Sequence, residues 1–319
     1  MAQNTPINKE GGDQQPPFLS PHKDNPLLGM TAGIAAFFLM AVMNVFAKIL
    51  SETHHVAEIA FYRNLIATLP FLFLIYAMGR KEILVIKSNV KGIVARSVIG
   101  TLSLMVTFAA FAAMPMADVT AFLFTASLIV PALGYFFLKE RVGPYRWAAI
   151  GIGFIGVLVM LQPAGNFNSL GVTLALSAAA MHAALQTILR GLGKTESPQT
   201  VTFYFVFIGT FVALIPLPLV FTMPTWSEAP LILACGLSGM AAQFLLSVAY
   251  KNAPAAIVTV FNYSGIIWAT LFGWFIWNDW PTMPIWIGGL IVIVSNLFIL
   301  WRETRLARRP IGARARAQL

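Results

Sequence analysis

Cysteine is almost absent from this 319-residue chain: Cys235 is the only one. A single thiol forms neither an internal disulfide nor a cysteine metal cluster, so redox and thiolate-metal chemistry are excluded as themes. Charge is also scarce, with Asp, Glu, Lys and Arg making up 10% of residues against 58% hydrophobic. A soluble chain needs far more charge to cover its surface, and the mean hydropathy of +0.77 makes lipid the expected solvent. No carboxylate stands near the middle of a long apolar stretch; Asp118, Glu140 and Asp279 all lie at stretch ends. Paired acids and His-rich constellations are missing too, which argues against an intramembrane enzyme. Gly151, Gly153 and Gly156 sit in an apolar segment that follows no strand, so they do not form a phosphate loop, and no cofactor is expected.

Present instead are ten apolar stretches: 27–50, 56–78, 90–113, 117–138, 145–161, 170–192, 200–220, 229–249, 254–277 and 282–301. Crossing about 30 Å of hydrocarbon takes about 20 apolar residues, so the chain reads as an all-α integral membrane protein with ten transmembrane helices. Residues 1–26 are polar and read as a disordered tail without a cleavable signal segment. The net charge is +9, and its placement carries more information than its size. With a cytoplasmic amino terminus, Arg80, Lys81, Lys87, Lys139, Arg141, Lys194, Lys251 and the basic tail 302–319 all fall inside, and the outer turns contain no Lys or Arg. Both termini are therefore expected in the cytoplasm, in a multi-pass protein of the plasma membrane, with the bacterial inner membrane as the expected site. The basic tail suits anionic lipid headgroups and requires no nucleic acid.

The ten stretches divide into five plus five. With Pro115 set on Pro254, an offset of 139, Ala117, Val119, Thr120, Phe122, Gly134 and Trp147 fall on Ala256, Val258, Thr259, Phe261, Gly273 and Trp286. Earlier in each half an offset of 142 sets Phe61-Tyr62 on Phe203-Tyr204 and Lys48 on Arg190. An odd number of crossings per copy requires two inverted five-helix repeats, 27–165 and 166–301. Phe61-Tyr62-Arg63, the run Met114-Pro115-Met116-Ala117-Asp118-Val119-Thr120, Pro131, Leu138-Lys139-Glu140-Arg141 and Leu161-Gln162-Pro163 together resemble an EamA-type member of the drug/metabolite transporter superfamily. Arg96 with Gly100-Thr101-Leu102-Ser103 is similar to a branch that includes S-adenosylmethionine carriers, and riboflavin carriers look related. The resemblance implies a transporter of small organic metabolites, S-adenosylmethionine-like, flavin-like or amino-acid-derived, working by alternating access. A lipid flippase of the same fold is the alternative. Substrate, direction, energy coupling and oligomeric state stay open.

Polar residues inside the apolar stretches are the candidate substrate contacts, because mid-helix charge costs about 2.5–3.5 kcal/mol on insertion scales. Asn44 and Lys48 share a helix face, as do His182, Gln186 and Arg190 at aligned positions. Lys48 reads either as a pathway cation or as a snorkelling lysine. Arg63 lies two turns into its stretch, with Glu58 or Glu52 as possible neutralising partners. Arg96, with Gly100, Ser103 and Thr107 on its face, is the first candidate for an anionic group of the substrate. Gln243, Asn262, Tyr263 and Trp268 add amide and aromatic groups suited to a planar or amphipathic solute. Pro131 is expected to bend the fourth stretch. His182 is the one mid-span group expected to titrate near neutrality.

Overall fold

The computed structural model describes residues 26–138, 143–161, 168–192, 195–252 and 255–307, and these are α-helices joined by short turns. The first half contains α1 (Pro26–Leu50), α2 (Val56–Tyr76), α3 (Val90–Ala113), α4 (Met116–Leu123), α5 (Ala126–Leu138) and α6 (Pro144–Leu161). The second half contains α7 (Ser169–Leu192), α8 (Pro198–Leu214), α9 (Leu217–Val220), α10 (Ala229–Asn252), α11 (Ala255–Asn262), α12 (Ser264–Trp277) and α13 (Met283–Ala307). Among the described residues eight spans are long and apolar enough to cross a membrane, and Trp147–Leu161 and Gln199–Leu214 are shorter apolar helices. Large apolar side chains such as Phe73, Ile155, Phe275 and Leu290 are exposed, as expected of surfaces solvated by lipid. This is a multi-pass membrane protein.

Local chemistry sets the helix ends. Asn89 caps α3, its Oδ1 accepting from the Gly92 amide at 2.9 Å. Ser197 caps α8 ahead of Pro198, its Oγ accepting from the Thr200 amide at 3.1 Å. His55 caps α2 and stands 142 residues before Ser197, so the second helix of each half opens at the aligned position. Asn278 closes α12 in the left-handed region, φ 57.

Two expected helices are interrupted. The fourth stretch breaks at Phe124–Thr125 and the ninth at Tyr263, positions aligned at the 139 offset. Their backbones match, with φ −64, ψ −16 at Phe124 and φ −68, ψ −16 at Tyr263. Three-residue hydrogen bonds mark both: Thr125 N–H to Phe122 O at 3.0 Å and Tyr263 N–H to Val260 O at 3.2 Å. The two rings meet edge to face at 5.1 Å. Pro131 lies inside α5, beyond the break. The seventh stretch also differs from expectation, ending at Leu214 before the separate turn α9.

The packing comes in matched pairs. α1 lies along α10 and α3 along α7; α2 contacts α10 and α3 contacts α8; α2 meets α8, and α6 meets α13. At the α6–α13 crossing Gly156 and Gly288 bring the two backbones together, since a Cβ on Gly156 would stand 2.7 Å from the Gly288 carbonyl oxygen.

Candidate functional site

Two arginines meet in the interior. Arg63, on α2, is 2% exposed, and its Nη1 donates to the Asn64 Oδ1 at 2.7 Å. Arg96 reaches in from α3. Both guanidinium groups lie against one ring, Phe205 of α8, with Cζ to centroid distances of 4.2 Å for Arg96 and 5.6 Å for Arg63. The two guanidinium carbons are thus no farther apart than the sum of those distances, and their charges repel. Glycines make the room. A side chain on Gly100 would strike Arg96 Nη1 and Phe205, and one on Gly239 of α10 would stand 3.0 Å from Arg63 Nε.

Among the described residues no carboxylate lies within ion-pair distance of either arginine. This corrects the pairing expected for Arg63. Glu58 turns away and faces His54, Nδ1 to Oε2 2.8 Å, while its other oxygen accepts from the Thr222 amide. Arg63 Nε, Arg96 Nε, Arg96 Nη1 and Asn64 Nδ2 are buried and have no hydrogen-bond partner among the described residues. Since the Asn64 oxygen is taken by Arg63, all four unpartnered positions are donors. Each of them can donate to an acceptor.

His182 of α7 lies close enough to Arg96 to sense its charge, and its Nε2 is 3.4 Å from Thr107 Oγ1. The expected stripe on α3 is buried, with Thr107 Oγ1 donating to the Ser103 carbonyl at 2.7 Å. Asn44 is half-buried on α1, and Gln186, one turn beyond His182, is exposed. The side chains of Arg190, Ser247 and Thr259 lie outside the described residues.

Lys48 stands apart from this cluster, at the end of the molecule that carries the α1–α2 turn. Its Nζ donates to the Met114 carbonyl at 2.9 Å, faces Asp279 Oδ2 at 3.7 Å and sits 4.8 Å from the centre of the Trp277 ring. The lysine bridges α1 to the α3–α4 turn, so the snorkelling reading gives way to a fixed contact. Nearby Asp118 has a buried Oδ1 without a partner among the described residues. Trp268 packs on Phe38 at 5.0 Å, and the Tyr263 hydroxyl turns toward Ser127 and Asn296. Gln243 and Asn262 are half-buried on α10 and at the end of α11.

Phe205 was missed in the sequence, although a signal for it existed. The offset that aligns Phe61-Tyr62 with Phe203-Tyr204 sets Arg63 on Phe205 one residue later. The aromatic pairs behave alike, meeting at 5.4 Å and 67° in one half and at 5.2 Å and 68° in the other. Also missed were two loop contacts. At the α1–α2 end His54 lies between Glu58 and Glu228, with Nε2 3.3 Å from Glu228 Oε2. At the opposite end Glu196 accepts from the Lys87, Ser88 and Asn89 amides at 2.9–3.0 Å.

The whole helical region matches a family model described as the EamA-like transporter family, over residues 27–162 and 169–301. A riboflavin transporter of Rhizobium johnstonii is 31% identical over 216 residues, covering 67% of this chain and 72% of that protein. A pseudopaline exporter of Pseudomonas aeruginosa is 30% identical over 274 residues, covering 84% and 94%. An S-adenosylmethionine uptake transporter of Rickettsia bellii is 25% identical over 284 residues, covering 88% and 97%. A solved crystal structure shares the fold with TM-score 0.60 at 16% identity, over 88% of this chain and 97% of that one. Apolar spans, an unpaired arginine cluster and relatives named as transporters agree with one another and not with an enzyme: the chain belongs to the EamA-like transporter family.

Proposed function

We propose that this protein carries a small organic metabolite across the membrane by alternating access between two inverted five-helix repeats, 27–165 and 166–301. An acidic group of the solute is held at Arg63 and Arg96. The observation that carries the reading is the pair of arginines sharing Phe205 in the apolar interior with no carboxylate partner among the described residues. A cation left there without counter-charge is costly and marks a substrate path.

Support for the inversion comes from contacts between aligned residues. Arg63 touches Phe205, and Phe124 touches Tyr263, each pair related by the repeat offset. A residue meets its own counterpart only beside a twofold axis. The Asn168 amide, next to the start of α7, donates to the Ala113 carbonyl at the end of α3, while α1 finishes at that same end. These contacts support opposite directions for the first helices of the two halves. Broken helices facing each other at mid-depth suit a pathway between inverted bundles.

The α2–α3 end carries Arg80, Lys81 and Lys87, and the turns at the other end carry no Lys or Arg, which favours cytoplasmic termini in an inner membrane. The Lys48 bridge then favours a state shut on the outer side. Motion would rock the α1–α10 and α3–α7 pairs around the arginines, the solute shifting the balance between the two states. The solutes named for the relatives place riboflavin, S-adenosylmethionine and pseudopaline among the first compounds to try. Purified protein in liposomes should drive counterflow of a labelled solute from such a panel, and Arg96→Gln should weaken acidic solutes more than neutral ones. Lipid scrambling without solute counterflow would replace the carrier with a flippase.

A further inference from the structure

Resting on that reading, we infer that the arginine site takes a solute bearing two negative charges, one for each guanidinium. The site holds two fixed cations. Arginine does not shed its proton in proteins, so neither charge can be relieved by deprotonation. Arg63 is 2% exposed, so water does not screen it, and the shared ring of Phe205 supplies only the face of an aromatic quadrupole to each.

The charged groups around the pair offer no compensation. His182 is the neighbour of Arg96, and the thiol of Cys235 faces Arg63. Asp118, Glu58, Glu228 and Asp279 belong to the α1–α2 end, and Glu196 to the opposite end; each of these has its own surroundings. A monoanion would neutralise one guanidinium and leave the other buried without counter-charge, a costly arrangement. A solute with two carboxylates, or a doubly ionised phosphate, neutralises both.

The hydrogen-bond inventory points the same way. Arg63 Nε, Arg96 Nε, Arg96 Nη1 and Asn64 Nδ2 supply buried donors from both arginines, with no unpartnered acceptor among them. A carboxylate or phosphate oxygen accepts from such groups and offers no competing proton. A side chain at Gly100 would meet Arg96 and Phe205, and one at Gly239 would meet Arg63, so both arginines lie directly against glycine backbone.

The test uses full-length protein in lipid nanodiscs, titrated at fixed ionic strength with succinate, with butyrate as the matched monoanion and with succinamide as the neutral analogue. The melting temperature is the readout. Succinate should stabilise saturably at a concentration about 10-fold below butyrate or lower, and succinamide should have no effect. Arg63→Gln and Arg96→Gln should each bring the succinate midpoint to that of butyrate. Arg63→Lys and Arg96→Lys should retain the preference at low pH and lose it as pH rises, because a buried ammonium, unlike a guanidinium, can shed its proton. They serve if the glutamine variants fail to fold.

Equal midpoints for succinate and butyrate would overturn the inference, as would the absence of a saturable shift with succinate, malonate and inorganic phosphate alike. The same protein in liposomes separates the two readings. Counterflow indifferent to solute charge keeps the carrier and sinks the two-charge site. Dianion stabilisation without counterflow of any solute keeps the two-charge site and sinks the carrier.

Discussion

The two ends of the molecule are tied by residues at aligned positions of the two halves, yet by different chemistry. His54 and Glu196 stand 142 residues apart, each one position before the cap of the second helix of its half. At the α1–α2 end, His54 is wedged between Glu58 and Glu228, and Thr53 Oγ1 adds a bond to Glu228 at 2.8 Å. At the α2–α3 end, Glu196 gathers three consecutive backbone amides. One tie depends on a histidine held between two carboxylates in a buried pocket. The other depends on the shape of a loop that points its N–H groups at one carboxylate. The two ties occupy positions aligned at the 142 offset, while the side chains that make them differ.

That contrast can be broken experimentally. The largest effect is expected from Glu58→Ala, which strips His54 and the Thr222 amide of a buried partner; breaking one side of a buried pair costs about 3–5 kcal/mol. Thermal unfolding in detergent should show the loss, and a change as small as that of an exposed substitution would deny the buried pair its role. Next comes Glu196→Ala, where three loop amides lose their acceptor but remain near water. Its melting temperature should fall less than that of Glu58→Ala, with Glu196→Gln between it and wild type. The reverse order would mean that loop shape outranks the buried histidine–carboxylate contact.

Acid sharpens the comparison further. Bonds from the Thr225 amide and hydroxyl and from Thr53 draw the Glu228 carboxyl down from the ordinary 4.5 to about 2. The Lys87 and Ser88 amides hold Glu196 below its ordinary range as well. A group whose folded value is depressed stabilises above its unfolded value and loses that contribution as pH falls through the folded one. The gap in melting temperature between wild type and Glu228→Gln should therefore shrink as pH drops from 4.5 to about 2. A gap that widens on acidification has the wrong sign. The smallest effect is expected from Thr53→Val at the exposed rim of the same tie, within about 0.5 kcal/mol.

Much of the frame was legible because lipid imposes length and apolarity on each crossing. α1 and α3 fall within a residue of the expected stretches. The breaks at Phe124 and Tyr263 were hidden because neither residue is Pro or Gly; their two rings meet between the halves. The pairing of Arg63 with Glu58 failed on geometry: residues five apart project about 140° apart around a helix, so the two cannot share a face. Arg63 and Arg96 stood out because charge is rare in an apolar stretch. Their shared ring did not, because phenylalanine is ordinary there.

The account depends on the two ties lying on opposite sides of the membrane, with the arginines between them. With the buried Cys235 replaced by serine, single cysteines at Thr225 and Ser88 can be probed in intact cells with a membrane-impermeant maleimide. Thr225→Cys should label from outside at once, and Ser88→Cys only after the cells are opened. Labelling of both from the same side would contradict the inverted arrangement and the pathway drawn through it.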